Sequence, residues 1–430
     1  MKDIRKYIVP TLFISMLLAT SAAYIAVPDR DISESENRTL ASLPSFSLES
    51  LSSGKFTSGM ISYMNDQFPF REAFMEIGNN IEETMHLESK VSGGTLITNT
   101  GNVSGGAGER LNGNDTEIVA KEFEELEESY NSLIIDDSGR AIEYYSFSDK
   151  NLFRYAKTLN SLAYELRDIN LYSMVVPTSS EFYLSEDLKK DNNSQKKALD
   201  KVYKKTSSKA KRVNVLPVLK REAKNPDNYL YFKTDHHWTQ LGAYHAYTEF
   251  CKSACFEAVP MESMETAVVE GDFLGSFTRM TDNPALSESS DTIVYFVPDE
   301  VEDVTAYTDA DMAVSYDAAL IIPPGDVQNK YMVFLGGDHP LIHIKTYSES
   351  QRSLVIVKDS FGNALIPLLV PHFKNIYAID PRTAHTNLAQ FCSLHSVTDV
   401  LIENYAFSLS SNGASLLLES LLEADSTDEQ

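Results

Sequence analysis

An aspartate and a histidine two positions apart give this chain the side chains of a general base. They are Asp235 and His237, in the stretch Tyr231-Phe-Lys-Thr-Asp-His-His-Trp238. In an extended segment, residues i and i+2 point to the same side, so Asp235 is expected to accept a hydrogen bond from Nδ1–H of His237, while His236 points away. That bond would fix the tautomer and leave Nε2 free to take a proton. The pair therefore predicts an imidazole base that is oriented by a carboxylate.

A serine that this base could activate lies downstream, after a short apolar run. Ser353-Leu-Val-Ile-Val357 is rich in β-branched residues, which predicts a buried parallel strand. Lys358-Asp-Ser-Phe-Gly-Asn-Ala364 follows and would turn the chain into a helix, with Ser360 at the carboxyl edge of the sheet. The N–H of Ser360 would be one of the unpaired donors at the start of that helix, where an oxyanion could bind. We therefore predict that Ser360 is a nucleophile.

The elements that must position these residues follow an α/β pattern. Thr239 is typical of an N-cap and predicts a helix directly after the base motif. Strands that alternate with helices predict a mostly parallel sheet with helices on both faces. The predicted elements are a hairpin at 132–145, helices at 148–167 and 194–205, and strands at 171–176, 213–216, 353–357, 375–379 and 399–402.

The two motifs resemble those of the DHHW family, which is related to alginate O-acetyltransferases that have an SGNH-hydrolase-like domain. The resemblance rests on Asp-His-His-Trp at 235–238 and on Lys-Asp-Ser-Phe at 358–361. It extends over most of the chain, through the motifs Ser35-Glu-Asn-Arg-Thr-Leu40, Leu43-Pro44, Asp66-Gln-Phe-Pro-Phe-Arg71, Val175-Val-Pro177, Gly271-Asp-Phe-Leu-Gly-Ser276 and Ile379-Asp-Pro-Arg382.

The resemblance implies a catalytic triad of Ser360, His237 and Asp235. The aspartate and the histidine precede the serine, which is the reverse of ordinary SGNH esterases and implies a circularly permuted sheet. Two positions depart from the pattern, because Lys358 stands where SGNH enzymes have glycine and His236 is an extra imidazole beside the base. The resemblance further implies acetyl transfer to a cell-surface or secreted polysaccharide, without a cofactor. The acetyl donor would be supplied by a separate multi-span membrane acyltransferase.

Four further residues are candidates for binding the substrate or the oxyanion. Arg382 follows a predicted strand and would either hold an oxyanion or carboxylate or form a salt bridge with Asp380. Trp238 would either stack on an acyl or sugar group or pack beneath the triad. Tyr405 would either face the same pocket or lie in the core. Asn363 lies close after the nucleophile and is a further candidate for the oxyanion site.

Two stretches interrupt the α/β alternation within a domain that we expect to span residues 56–430. Residues 88–115 are rich in Gly, Asn, Ser and Thr, which predicts a loop insertion. Residues 265–347 predict an inserted β-rich subdomain that faces the substrate. Its short β-type runs are 292–297, 320–322 and 331–335, and they are separated by turn residues.

The amino terminus predicts export. Three basic residues precede an almost unbroken apolar run from Tyr7 to Val27, which has the length of a membrane span and the charge of an N-in orientation. Residues 1–28 would be either a retained anchor or a cleaved signal peptide, with Ser21-Ala-Ala23 as part of the cleavage site. The polar, Ser-rich residues 29–55 predict a stalk. We therefore expect a single-pass membrane protein whose catalytic domain is extracytoplasmic, or a secreted protein if the segment is cleaved.

Charge and composition exclude some classes of function. The formal net charge of -25 argues against nucleic-acid binding, because phosphate contacts need surfaces rich in Lys and Arg. Cys251 and Cys255 are four apart on a predicted helix, which is near the upper distance limit for a disulfide. Asp235-His-His237 resembles part of a manganese phosphoesterase site, but the further ligand motifs of that class do not stand out, so no metal site is predicted. An acetylesterase and a non-catalytic polysaccharide-binding or assembly protein remain alternative functions.

Overall fold

The structure is a computed structural model of the chain. It describes residues 132–423 apart from 191, 282 and 326–328, and, nearer the amino terminus, residues 24, 27–30, 32–33, 38–47, 50–51, 55–69, 87–91 and 94–98. The chain divides into two compact units, Met1–Thr84 and Met85–Gln430.

The first unit has few described elements. Strand β1 (Ile32–Ser33) pairs antiparallel with β2 (Arg38–Thr39), and helix α1 (Lys55–Asp66) follows. At the end of α1, the carboxylate of Asp66 accepts a hydrogen bond from the N–H of Ala41 at 2.7 Å. The residues expected as a stalk therefore include a short pair of antiparallel strands. The predicted anchor lies outside the described residues except for positions 24, 27 and 28, and no described helix is long and apolar enough to cross a membrane.

The described strands of the second unit form three sheets. Their strands are β3 (Leu87–Val91), β4 (Gly94–Thr98), β5 (Ser132–Asp136), β6 (Ala141–Glu143), β7 (Asn170–Val176), β8 (Ala210–Val213), β9 (Thr266–Val268), β10 (Val294–Phe296), β11 (Val301–Tyr307), β12 (Ser315–Asp317), β13 (Leu341–Thr346), β14 (Ser353–Val357), β15 (Asn375–Ile379) and β16 (Asp399–Tyr405). The central sheet has eight strands in the order β12-β11-β13-β15-β14-β16-β7-β8. Strands β3, β4, β5 and β6 form a four-stranded sheet in that order, and β9 pairs with β10 in a third sheet.

The strand that leads to Ser360 lies inside the parallel part of the central sheet. Strand β14 pairs in parallel with β15 on one side and with β16 on the other, and all its residues are buried. Strands β16, β7 and β8 continue the parallel arrangement. A run of buried apolar residues is typical of parallel strands that are covered on both faces. The predicted parallel strands at 171–176, 353–357, 375–379 and 399–402 are confirmed.

Several helices of the second unit begin with a side-chain cap. Ser148, Ser194 and Thr239 accept hydrogen bonds from the first turns of α2, α4 and α6, so Thr239 is confirmed as an N-cap. The helices are α2 (Asp149–Glu165), α3 (Ser180–Tyr183), α4 (Gln195–Lys205), α5 (Leu216–Glu222), α6 (Gln240–Ala254), α7 (Ser276–Met280), α8 (Pro284–Ser287), α9 (Phe361–Leu369), α10 (Leu388–Leu394) and α11 (Gly413–Ser420). Helix α6 packs against α9, which places the two motif helices side by side.

Several local predictions are wrong. Within the predicted loop insertion 88–115, β3 and β4 pair as antiparallel strands, and residues 99–115 lie outside the described residues. The predicted strand 213–216 instead ends at Val213, because Pro217 occupies the first turn of α5, where its missing N–H costs nothing. The β-type run 331–335 overlaps a 3-10 helix, Lys330–Val333. By contrast, Cys251 and Cys255 are free thiols, which agrees with a spacing that did not favour a disulfide.

The stretch 265–347 is not separate from the central sheet, as the expected subdomain would be. Strand β13 pairs antiparallel with β15, and β11 and β12 extend the sheet beyond β13. Only β9 and β10 form a small sheet of their own among the strands described in this stretch. A sheet edge presents unpaired N–H and C=O groups, and these strands satisfy them on that side of β15.

Candidate active site

Ser360 lies in the turn that joins β14 to α9, at the carboxyl edge of the parallel strands. Its backbone (φ −62°, ψ −21°) places it at the N-cap of α9. The preceding carboxylate fixes the turn, because Asp359 accepts from the N–H of Phe361 at 3.0 Å and from the N–H of Tyr405 at 2.6 Å. Tyr405 is the last residue of β16, so the neighbouring strand holds the serine turn in place.

His237 joins Asp235 to Ser360 through its two ring nitrogens. Nδ1 lies 2.6 Å from Oδ1 of Asp235, and Nε2 lies 2.7 Å from Oγ of Ser360. In the tautomer that satisfies both contacts, Nδ1–H donates to the carboxylate and the hydroxyl donates to Nε2. The three side chains are buried, with Asp235 and His237 each 4% exposed and Ser360 5% exposed. This is the geometry of a serine activated by an oriented imidazole base.

The carboxylate of Asp235 is held in its ionised form. Besides the ring of His237, it accepts from the N–H of His237 at 2.9 Å and from the N–H of Ser276 at 2.8 Å. Burial by itself would raise the pKa of Asp235, but His237 and the Ser276 N–H outweigh burial and hold that pKa well below its usual range. The carboxylate therefore stays negative and fixes the orientation of the imidazole.

A second buried aspartate fixes the loop that carries Asp235. Asp291 accepts from the N–H of Lys233 at 3.0 Å and, with its other oxygen, from the N–H and hydroxyl of Thr234 at 2.8 and 2.5 Å. The hydroxyl of Tyr229 also donates to Asp291. These hydrogen bonds fix the backbone just before Asp235, although that segment is not part of a sheet.

Gly275 and Ser276 hold the same loop from the side. A β-carbon on Gly275 would lie 2.2 Å from Cβ of Asp235, so only glycine fits here without displacing the aspartate. The N–H of Gly275 donates to Oγ1 of Thr234 at 2.9 Å. Ser276 donates its N–H to Asp235, and its Oγ lies 2.8 Å from Nδ1 of His236. The Gly271–Ser276 motif therefore ends in direct contact with the base.

His236 does not point away from the base, as the extended-segment argument predicted. Its ring lies 3.8 Å from the ring of His237, centre to centre, at an angle of 35°. Residues 233–236 form bends instead of a strand, so neighbouring side chains do not alternate. Burial, followed by the effect of His237, lowers the pKa of His236 to about 3. His236 is therefore a neutral imidazole packed beside the base.

Tyr331 lies on the ring of His237. The two rings are 3.9 Å apart, centre to centre, and nearly parallel at 12°. The Tyr331 hydroxyl donates to the carbonyl oxygen of Ser360 at 3.3 Å. Sequence reasoning missed this residue because the run 331–335 suggested a strand and nothing local links it to either motif.

Arg382 and Asn363 are engaged away from the serine hydroxyl. Nη2 of Arg382 lies 2.6 Å from Asp380 and 2.7 Å from Asp338. Of the two roles predicted for Arg382, the structure therefore shows the salt bridge and not the oxyanion contact. The amide of Asn363 donates to Asp338 at 2.8 Å, and the buried Nζ of Lys358 lies 2.6 Å from the same carboxylate. Asp338, which sequence reasoning also missed, thus collects the three donors. Burial would raise the pKa of Asp338, but Lys358 and Arg382 lower it.

Trp238 and Tyr405 are core residues. Both are fully buried. Nε1 of Trp238 donates to the carbonyl of Phe361 at 3.0 Å, and the Tyr405 hydroxyl donates to Glu143. In this conformation Trp238 is therefore not available to stack on a substrate, and Tyr405 does not face a substrate pocket. Trp238 instead packs beneath the triad and Tyr405 lies in the core, which are the alternatives that the sequence analysis gave for them.

The N–H of Ser360 remains as the candidate oxyanion donor. Gly362 and Asn363 donate their N–H groups to the carbonyls of Asp359 and Ser360, and Phe361 donates to the Asp359 carboxylate. Among the described residues, no acceptor lies within hydrogen-bonding reach of the Ser360 N–H. An N–H group at the start of a helix is suited to developing negative charge.

Asp235, His236 and His237 also hold ligand atoms within 4.8 Å of one another, close enough for one metal ion. Two of these groups already have competing partners. Asp235 accepts bonds from His237 and Ser276, and both ring nitrogens of His237 are bonded. A metal would have to displace at least one of these bonds, whereas the serine–imidazole–carboxylate arrangement uses all of them.

These features define an α/β protein with a central sheet and a Ser–His–Asp arrangement at its carboxyl edge. The chain belongs to the DHHW family, whose model, described as DHHW protein, matches residues 112–379. The resemblance noted in the sequence is thereby confirmed.

Two solved proteins are similar in fold. A DHHW family protein from Eubacterium siraeum is 28% identical, with 68% of this chain and 96% of that one covered and a TM-score of 0.60. PatB1 of Bacillus cereus, in a structure with a sulfonyl adduct, is 18% identical, with 66% and 97% covered and a TM-score of 0.55. At that identity, the likeness to PatB1 shows the fold alone. No curated protein matches the chain.

Proposed function

We propose that this protein transfers an acetyl group to a polysaccharide through an acyl ester on Ser360. The observation that carries the proposal is the unbroken hydrogen-bonded chain from Asp235 through His237 to Ser360, with distances of 2.6 and 2.7 Å. A hydroxyl whose proton can pass to an oriented imidazole is an activated nucleophile.

The reaction has two halves that use the same base. In the first, Oγ of Ser360 attacks the acetyl carbonyl, its proton passes to Nε2 of His237, and the N–H of Ser360 binds the oxyanion. The donor's leaving group departs with that proton, and an acetyl ester remains on the serine. In the second half, His237 takes the proton of a sugar hydroxyl, which attacks the ester. Collapse of the second oxyanion releases the acetylated sugar and returns the proton to Ser360.

The resemblance to alginate O-acetyltransferases supports the acceptor and the setting. It suggests a cell-surface or secreted polysaccharide as acceptor and a multi-span membrane acyltransferase as source of the acetyl group. The apolar run from Tyr7 to Val27 would keep the protein at the membrane, with the Ser360 site outside the cytoplasm. We also propose that the sheet is a circular permutation of the SGNH type, since Asp235 and His237 precede Ser360 in the chain.

The proposal is tested by the mass of the protein after exposure to an acetyl ester. The full-length chain in detergent is incubated with 4-nitrophenyl acetate, and intact mass is followed by peptide mapping. We expect one added acetyl group on the peptide that contains Ser360, and none on Ser360→Ala. An unlabelled wild-type protein would exclude the acyl-serine mechanism and favour a non-catalytic polysaccharide-binding role.

Transfer and hydrolysis differ in what removes the acetyl group from Ser360. If the labelled protein loses it only when an acetyl-free oligosaccharide is added, transfer is supported. If water removes it at the same rate without any oligosaccharide, the protein is an acetylesterase. This comparison needs no knowledge of the natural polysaccharide, because a panel of oligosaccharides can serve as acceptors.

A further inference from the structure

We propose that Tyr331 is a positioning residue that holds His237 against Ser360 and stabilises the imidazolium formed when the serine is deprotonated. The inference rests on the acyl-serine mechanism proposed above and adds a residue to its machinery. Outside the triad itself, Tyr331 is the residue in the described part of the chain whose ring faces His237 flat and whose hydroxyl bonds to Ser360.

The close contact between the two rings places a charge that forms on His237 over the face of Tyr331. The ring centres are 3.9 Å apart and the rings are nearly parallel, at 12°. Phe361, by comparison, meets the ring of His237 at 46° and 5.0 Å. A positive charge over the electron-rich face of tyrosine is attracted to it, and more strongly in a desolvated site such as this one.

The Tyr331 hydroxyl connects the base to the serine turn. It donates to the carbonyl of Ser360 at 3.3 Å, and that carbonyl also accepts from the N–H of Asn363 at 3.2 Å. Burial, followed by nearby carboxylates such as Asp235, raises the pKa of Tyr331, so the phenol keeps its proton and remains a donor. One rigid side chain thus contacts the imidazole with its face and the nucleophile's backbone with its hydroxyl.

Other charged groups surround the two rings but do not change when Tyr331 is replaced. Those that act on His236 or Tyr331 are Asp235, Arg279, Asp338, Asp359, Arg382 and Glu403. His236 itself is neutral and adds no positive charge beside the base. A change in the pH dependence of a Tyr331 variant therefore reports on the ring that was removed.

The test is the pH profile of Ser360 labelling by phenylmethylsulfonyl fluoride in the full-length chain. Oγ forms a bond to sulfur, fluoride leaves, and His237 takes the serine proton, so labelling stops at low pH, where the base is already protonated. In Tyr331→Leu the imidazolium loses its aromatic partner. We expect the midpoint of the acid limb to fall by about 0.5 pH unit and the plateau rate to fall about 10-fold.

Two further replacements keep the volume of the ring. Tyr331→Phe should keep the wild-type midpoint and lose only a few-fold in rate, because it lacks only the hydroxyl. Pentafluorophenylalanine at position 331 reverses the charge distribution of the ring and should lower the midpoint below that of Tyr331→Phe. This pair decides the question even if Tyr331→Leu does not fold.

Phe334→Leu is the matched control, because Phe334 packs on Tyr331 in the core and is found in contact with neither His237 nor Ser360 in the described residues. Its midpoint should stay at the wild-type value. Equal midpoints in the Phe and pentafluorophenylalanine proteins, or an equal shift in Phe334→Leu, would overturn the inference. If the wild type is not labelled, or Ser360→Ala is labelled equally, the acyl-serine function itself has failed, which is a different result.

Discussion

At the scale of single residues, the site works only if the three side chains act together. Ser360 supplies the oxygen, His237 takes the proton, and Asp235 sets the tautomer. Because the proton transfer needs both groups, removing Ser360 or His237 alone should cost nearly as much as removing all three side chains. Contributions of this kind cannot be added residue by residue.

The first prediction concerns substitutions in the triad. Ser360→Ala should abolish acyl-enzyme formation, and His237→Ala should lower the acylation rate on the order of 10³-fold or more. Asp235→Asn should lose less than His237→Ala, because the imidazole remains but its orientation fails. Single-turnover acylation by 4-nitrophenyl acetate measures all three. An active Ser360→Ala protein, with activity lost on addition of a chelator, would instead indicate the metal site.

The second prediction concerns His236 and pH. Its pKa is lowered to about 3 in the folded protein, so the unfolded chain binds this proton more readily. Folding stability from His236 is therefore present above about pH 6.5 and is lost as pH falls from there toward about 3. His236→Gln should be less destabilised than the wild type on going from neutral pH to pH 5, by up to about 2 kcal/mol.

Urea unfolding at the two pH values measures this difference. His372 has a pKa lowered by burial to about 4 and contributes in the same direction, so the acid sensitivity should shrink without disappearing. His372→Gln serves as the control, because it should reduce the acid sensitivity without changing the acylation rate of Ser360. Identical pH dependence in wild type and His236→Gln would contradict a neutral, buried His236.

At the scale of elements, the base motif depends on a segment that comes after it in the chain. The start of α7 supplies Gly275 and Ser276, and the stretch before β10 supplies Asp291. The stretch 265–347, expected to face the substrate, therefore also holds the triad. Substitutions in its buried part should impair acylation by small esters as well as transfer to a polysaccharide.

The third prediction tests this dependence with Gly275→Ala. The added carbon would lie 2.2 Å from Cβ of Asp235 and must push the aspartate from its place. We expect a loss of about 1–3 kcal/mol in stability and a fall in acylation rate as large as that of Asp235→Asn. Circular dichroism in urea and single-turnover kinetics measure the two effects.

Gly325→Ala is the control for that experiment. Gly325 has a positive φ of 58°, but an added β-carbon there meets no atom of the described residues within 4 Å. Alanine at this position carries a backbone penalty without touching Asp235, so acylation should stay at the wild-type rate. A normal acylation rate in folded Gly275→Ala would show that the base tolerates displacement and would contradict the prediction.

At the scale of the whole molecule, charge and location set what can reach the site. The net charge of -25 disfavours an anionic substrate. A local basic patch around Lys358 and Arg382 could have offset that field, but both cations are paired with Asp338 and Asp380. A neutral or weakly charged sugar acceptor is therefore the better match.

The fourth prediction concerns the amino terminus. The basic flank and the apolar run to Val27 should keep the protein in the membrane fraction, with residues after about Asp29 outside. Protease added to intact protoplasts or spheroplasts should digest the body of the protein. A cytoplasmic marker protein in the same protease-treated cells should stay intact. A protected body, or a soluble protein that starts near Tyr24, would contradict a retained anchor.

The sequence by itself determined the candidate triad and the core of the fold. Asp235, His237 and Ser360 were recognisable because their residue types and spacing are local features of two short motifs. The strands at 353–357 and 375–379 were predicted to the residue, because buried parallel strands are continuous apolar runs. Family membership also followed from these motifs.

Only the tertiary structure decided what surrounds the base and what each polar residue near it does. Tyr331, Gly275 and Asp291 reach the base motif across long stretches of chain, and no local pattern encodes such contacts. From the sequence, Arg382 could bind either a substrate oxyanion or a neighbouring acid. In the structure it forms salt bridges with Asp338 and Asp380. Alternation within a strand failed at His236, because hydrogen bonds from distant residues bend that segment. Outside regular elements, the direction of a side chain is set by packing against distant residues, and local sequence patterns do not encode that packing.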